Sequence, residues 1–176
     1  MTTTSESKVE ELVALLGLYL RQGKTKKALR VLDKSRQEFT LAGADDYWHL
    51  WRGQLLVRQG QPGDALGEVD HIKDPEMRRN LKVMALEASA RQSGDWQPLR
   101  AHLEQSFQET NDGGYLFELC RLKAHSEDWD FVAEHADQLI KAVGTADTVQ
   151  LAAAAAWKAE RYEQCLNILN DHQGLF

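Results

Sequence analysis

Apolar residues recur along the chain at intervals of three and four, the spacing of one face of a helix. Val9, Leu12, Val13, Leu15, Leu16, Tyr19 and Leu20 form the first such stripe, and Gly23 ends it. A second helix is predicted over 25–39, with Ala28, Leu29, Val31, Leu32 and Phe39 turned inward. Residues 40–44 read as a loop, and either Asp45 or Asp46 as the cap of a helix over 47–58. Gly60 breaks that helix. Pro62 opens a short one over 62–72, which Gly63 and Gly67 weaken. Asp74-Pro75 is an N-cap followed by proline at the first helical position, and it starts a longer helix over 75–92. Asp95 is the expected cap of a helix over 96–108, and Asn111-Asp112-Gly113-Gly114 breaks the pattern. Helices follow over 115–125, over 129–143 with Asp128 as cap, and, after Gly144-Thr145, over 146–159 and 162–170. The pattern predicts ten helices in five hairpins and no strand. The polar, Thr/Ser-rich residues 1–7 read as a disordered start, and 8–176 as a single domain undivided by any linker.

The turns inside these hairpins resemble one another. Gln22-Gly23-Lys24, Gln59-Gly60-Gln61, Ser93-Gly94-Asp95, Ser126-Glu127-Asp128 and Ala159-Glu160-Arg161 each precede an amphipathic helix. The second residues, Gly23, Gly60, Gly94, Glu127 and Glu160, are spaced by 37, 34, 33 and 33. A near-fixed period of this length marks stacked helical hairpins, in which each unit buries its apolar face only against its neighbours.

In repeat one Leu12, Leu15, Tyr19, Gly23 and Ala28 fall on a recognisable set of positions: large apolar residues and a tyrosine in the first helix, glycine in the turn, alanine in the second helix. Gly53, Gly60 and Ala65 follow in repeat two, and Val83, Leu86, Ala90 and Gly94 in repeat three, where Leu99 stands at the alanine position. Repeat four has Leu116, Leu119 and Cys120 with Val132; repeat five has Val149, Ala153, Ala156 and Cys165. Over about residues 8–170 the chain resembles the tetratricopeptide repeat family, although the family's proline after the second helix is missing throughout. The resemblance implies a right-handed superhelical α-solenoid of about five antiparallel helix-turn-helix hairpins. It also implies a role as a protein–protein interaction scaffold. Small residues at Gly53, Cys120, Ala153, Ala28 and Ala65 are expected to let the two helices of a hairpin approach closely.

In that family the first helix of each repeat lines a concave groove. Carried over position by position, the groove would present the cations Arg21, Arg58, Arg91, Arg121 and Lys158, interleaved with Leu20, Val57, Met84, Phe117 and Trp157, and with Gln54 and His125 beside them. Such a groove suits a protein or peptide segment with acidic and apolar side chains. Two plainer explanations stand beside this one: cations late in a helix complement its dipole, and Trp157 and Phe117 can be core residues. Trp96, Trp129 and Tyr162 open second helices and are expected to pack the hairpins. The lysine and asparagine with which some family members grip a C-terminal carboxylate are absent; Val13 and Gly17, and Leu50 and Gln54, stand there.

Charge narrows the choice of partner. The net charge is −6, yet residues 1–40 carry 8 Lys/Arg against 5 Asp/Glu, and the remainder 13 against 22. An acidic chain without repeated base-reading polar pairs is a poor nucleic-acid binder, so an RNA-binding helical repeat ranks below a scaffold. A small acidic chaperone or assembly factor, like those of bacterial secretion systems, is the second reading. Chemistry is thin. The six histidines form no pair four apart on one helix, Cys120 and Cys165 sit in different apolar stripes, and no phosphate loop or nucleophile elbow occurs. The cluster His125, Glu127 and Asp128 falls on a helix end. Neither enzyme activity, metal nor cofactor is expected. No signal-peptide core or membrane-length apolar run is present, so a cytoplasmic protein with no membrane partner is the expectation. Tyr162, Leu166, Ile168, Leu169, Leu175 and Phe176 leave an uncovered apolar edge. Self-association, a partner, or further chain in a larger multidomain protein would bury it.

Overall fold

One backbone turn recurs. Gly23, Gly60, Gly94, Glu127 and Glu160, the second residues of the five turns, all adopt left-handed conformations, with φ between 59° and 78°. In four of the turns the hydrogen bonds are also the same. The residue after the left-handed one donates its N–H five residues back, as in Lys24 to Tyr19, Gln61 to Leu56, Asp128 to Lys123 and Arg161 to Ala156. The left-handed residue itself donates three residues back, so two carbonyls that a helix end would orphan are satisfied. Glycine adopts this conformation freely, whereas an L side chain is crowded there by about 1–2 kcal/mol. Glu127→Gly and Glu160→Gly are therefore each expected to stabilise the protein by about 0.5–1 kcal/mol, once glycine's larger unfolded-state entropy is counted. Urea unfolding followed by circular dichroism reads this; a destabilisation by either glycine would show that the turn is held by something other than backbone preference.

The computed structural model describes residues 3–175, and among these it is all-helical, with twelve α-helices, a closing 3₁₀ turn and no strand. They are α1 (Thr3–Arg21), α2 (Thr25–Lys34), α3 (Arg36–Leu41), α4 (Asp45–Arg58), α5 (Pro62–Val69), α6 (Pro75–Ser93), α7 (Gln97–Thr110), α8 (Gly113–His125), α9 (Trp129–Glu134), α10 (Ala136–Val143), α11 (Ala146–Lys158) and α12 (Tyr162–Asp171). The two helices beyond the expected ten come from breaks at Ser35 and His135. The Ser35 hydroxyl donates to the carbonyls of Val31 and Leu32, and the His135 ring bonds the Phe131 carbonyl. Side chains that bond back to the preceding turn compete with the helical ladder and bend it.

Local signals gave the right caps in some places and not in others. Asp74 accepts from the Met77 N–H with Pro75 at the first position, as expected. Asp112 caps α8, and Thr145 with Thr148 forms a reciprocal capping box on α11. Asp128 does not cap α9; its carboxylate pairs with Lys123 at 3.2 Å instead. Neither Asp45 nor Asp46 is an N-cap, because α4 begins at Asp45. Asp46 reaches across to the N–H groups of Lys73 and Asp74 at 3.1 and 2.8 Å, fixing the entry to α6. These N–H groups, that of Lys73 foremost, hold its carboxyl below the usual range. The helix α1 starts at Thr3, so residues 3–7 are helical where their polarity predicted disorder; Met1 and Thr2 lie outside the described residues.

The chain folds as two units, residues 1–99 and 100–176. In the first, Leu16, Ala28, Leu32, Phe39, Trp48 and Leu55 form one buried cluster under α1 to α4. Val69, Ile72 and Leu81 form another where α5 leads into α6. In the second, Leu116, Cys120, Val132, Ala133, Leu139 and Ala155 pack α8, α9, α10 and α11 together. Ala152, Ala153 and Ala156 then bring α11 against Cys165 and Ile168 of α12. Gly53 opens a close approach, but not the one predicted. A Cβ there would stand 2.5 and 2.6 Å from the two methyl carbons of Leu81, so the glycine admits α6 and not the hairpin partner α5. Gly113 similarly admits Ala142, whose Cβ would lie 2.5 Å from its own.

Candidate functional site

The groove positions named from the sequence all fall on first helices, most of them in the C-terminal half, with Met84 at the middle of α6 and Phe117 in the N-terminal half of α8. In residues 1–99, Leu20 is half-buried against the Leu16 cluster, and Val57 against Leu56, Ala65 and Ala85. Gln54 is half-buried, Met84 exposed, and Arg21 exposed at the end of α1. Arg91 pairs with Glu87 one turn back at 2.6 Å. Arg58 ends α4 beside the first turns of α2. In residues 100–176, Phe117 is half-buried on the Leu116 cluster. Arg121 lies over its ring at 5.9 Å and pairs with Glu118 at 3.0 Å. His125 and Lys158 are exposed at their helix ends. Trp157 is 60% exposed, its ring edge-on to Tyr162 at 5.0 Å. Trp157 is thus a surface residue and not core. Tyr162, at 51% exposure, packs its hairpin through that edge contact with Trp157, outside any buried cluster, whereas Trp129 packs against the Leu116 cluster. Arg91 and Arg121 spend part of their charge on intrahelical partners, which are worth only a few tenths of a kcal/mol in solvent and can be exchanged for a ligand carboxylate.

The densest polar assembly in residues 1–99 was not read from the sequence. His49 on α4 and Glu68 on α5, both 8% exposed, lie 2.7 Å apart from Nδ1 to Oε2. The guanidinium of Arg52 bonds the other oxygen of Glu68 and also reaches Asp33 at 3.1 Å. Arg36 donates to Nε2 of His49 at 3.0 Å, lies over the Trp48 ring at 4.1 Å, and pairs with Asp45 at 3.3 Å. Trp48 donates its indole N–H to the Leu32 carbonyl. Because a guanidinium has no acceptor, Nε2 must accept, and the ring is the neutral tautomer with its proton on Nδ1, donated to Glu68. His71 stacks on its face at 4.8 Å. Both ring nitrogens and both carboxylate oxygens are engaged inside the protein, so the assembly ties α3, α4 and α5 together and offers no free acid or base. One signal for it was present: Ala65, Glu68 and Val69 share a helical face, so Glu68 stands in phase with apolar residues.

Among the described residues no group of three or more His, Cys, Asp and Glu could hold a metal ion, and no helix is long and apolar enough to cross a membrane. Cys120 and Cys165 are free and buried, and burial pushes the Cys120 thiol up to about 12, which removes its nucleophilic form at neutral pH. Comparison with family models, curated proteins and solved structures returned no match.

Proposed function

We propose that this chain is a protein-interaction scaffold, a divergent solenoid of about five tetratricopeptide-like hairpins that holds an acidic, partly apolar segment of another protein against its first helices. The observation that carries the reading is the left-handed residue at the same place in all five turns, including two where the residue is glutamate. A backbone that repeats through a change of residue type belongs to a repeated unit, and repeated helical units offer extended surfaces for partners. On those helices an exposed cation stands next to an aromatic side chain at Arg121 with Phe117 and at Lys158 with Trp157, and Arg91 and Met84 are both exposed on α6. This pairing supplies a charge contact and an anchor together. The reading places the protein in the cytoplasm, with no nucleic acid, membrane, cofactor or catalysis involved.

Selection of displayed random peptides on the full chain tests it. Peptides rich in Asp or Glu with an interspersed apolar residue are expected, binding at least about tenfold more weakly to Arg121→Glu/Lys158→Glu, since two charge-assisted contacts become repulsive. Equal binding by that variant, or selection of basic peptides, would remove the groove. A second reading, a small chaperone or assembly factor for one client, or self-association through the same edge, has its own observation. Leu166 is 60% exposed, Leu175 43% and Leu169 39% at the last helix and the turn beyond it.

A further inference from the structure

The start of α2 carries charge where its dipole opposes it. Lys24 precedes the helix, Lys26 and Lys27 lie in its first turn, and no acidic residue accompanies them. Arg30 and Lys34 continue the same charge down the helix. With Arg58 these side chains line an open cleft of about 830 Å³ that no carboxylate lines, on a chain with 27 Asp and Glu against 21 Lys and Arg. Several other cations in this unit are matched, as in Lys8 with Glu38, Arg36 with Asp45 and Arg52 with Asp33. Among the described residues, none of the six cleft cations has an acidic partner; Lys24 reaches only Gln22, and Lys27 only the Tyr19 ring. Lys26 with Arg30, and Arg30 with Lys34, are like charges four apart on one helix, and each pair repels. Gln59, half-buried, completes the cleft wall beside Arg58.

The kind of anion follows from the lining. Four of the six cations are lysines, compact point charges suited to the several oxygens of a phosphate; planar carboxylates are best met by paired arginine forks. Val31 is the one large apolar side chain lining the cleft, and no aromatic ring lines it. It therefore lacks both the anchor pocket that a peptide needs and the stacking platform that a nucleobase needs. We propose that this cleft binds a small ligand carrying clustered phosphate groups, with Lys26, Lys27, Arg30, Lys34 and Arg58 as the cations that hold it. The site is independent of the peptide-binding reading, with which it shares only Arg58.

Titration calorimetry of the full chain with inorganic tripolyphosphate tests this, with decaglutamate as comparator and vesicles bearing a phosphatidylinositol bisphosphate as a second arm. Tripolyphosphate is expected to bind one to one and decaglutamate at least about tenfold more weakly. Lys26→Glu/Arg30→Glu is expected to lose roughly a hundredfold in affinity, about tenfold per charge-assisted contact removed. Lys141→Glu, which makes the same kind of charge change in residues 100–176, is expected to leave affinity unchanged. Lys26→Glu also suits the α2 dipole, so thermal unfolding is not lowered, and Lys27→Gln/Lys34→Gln gives a second, milder loss. Retention on the vesicles as well as binding of tripolyphosphate identifies a lipid head group as the source; binding of tripolyphosphate alone identifies a free phosphorylated compound. The proposal is overturned if tripolyphosphate does not bind, if decaglutamate binds as tightly, or if the double variants bind like the wild type.

Discussion

Glu68→Ala is expected to remove about 3–5 kcal/mol of stability, the range for breaking a buried ion pair by deleting one partner. The size follows from what is left behind. His49 would keep its Nδ1–H without an acceptor in a site 8% exposed, and Arg52 would retain only the exposed side of its pairing, with Asp33. A domain's whole margin is about 5–15 kcal/mol, so residues 1–99 would unfold at a much lower urea concentration. Glu68→Gln should lose less, because an amide oxygen still accepts from His49. Adding Arg52→Met to Glu68→Ala should recover part of the loss, since the guanidinium left facing the emptied carboxylate site goes too. Equilibrium urea unfolding of the three variants, followed by helical circular dichroism, gives the comparison. A loss under about 1 kcal/mol for Glu68→Ala would mean that water replaces the carboxylate and that the assembly is a surface feature.

The contact between Gly53 and Leu81 is expected to show the other large effect. Leu81→Ala removes a fully buried side chain and should cost about 2–5 kcal/mol. Gly53→Ala should cost about 1–3 kcal/mol, despite alanine's better helix propensity, because the new Cβ lies 2.5 Å from a methyl of Leu81, a fully buried side chain that must shift to admit it. In the double variant the added methyl occupies part of the space that Leu81 vacates. The combined loss should fall short of the sum by more than about 0.5 kcal/mol, the level at which neighbouring sites couple. Strict additivity would show that α4 and α6 shift apart on mutation and that the glycine does not set their approach.

Both effects rest on pairs that the sequence did not join. The close approach at Gly53 was legible as a small residue inside a helix, but its partner was assigned to α5 when it is Leu81 of α6. Spacing along a helix says which face a residue occupies and nothing about which neighbour meets that face. His49 and Glu68 are 19 residues apart on different helices, and no local rule relates them; only the phase of Glu68 with Ala65 and Val69 was visible. The exposure of Trp157 was undecidable for the same reason, since a tryptophan on an apolar stripe becomes core only if another helix covers it. Asp46 shows the limit at a helix end. Its position before an apolar run resembles a cap, yet it binds the Lys73 and Asp74 N–H groups once α6 is brought beside it.

What the sequence by itself determined is what short-range chemistry controls. Helical periodicity, glycine and proline punctuation, and the Asp74-Pro75 start are set within a few residues. So is the register of the five turns, and their left-handed residues fall where the repeats align, even at Glu127 and Glu160. The tertiary structure decided the rest: the division into residues 1–99 and 100–176, the polar assembly around Glu68, and the gathering of Arg58 with the α2 lysines. Those features depend on which helix faces are brought together. That choice is made by packing and desolvation summed over many weak contacts between residues far apart in the chain, and no local pattern encodes it.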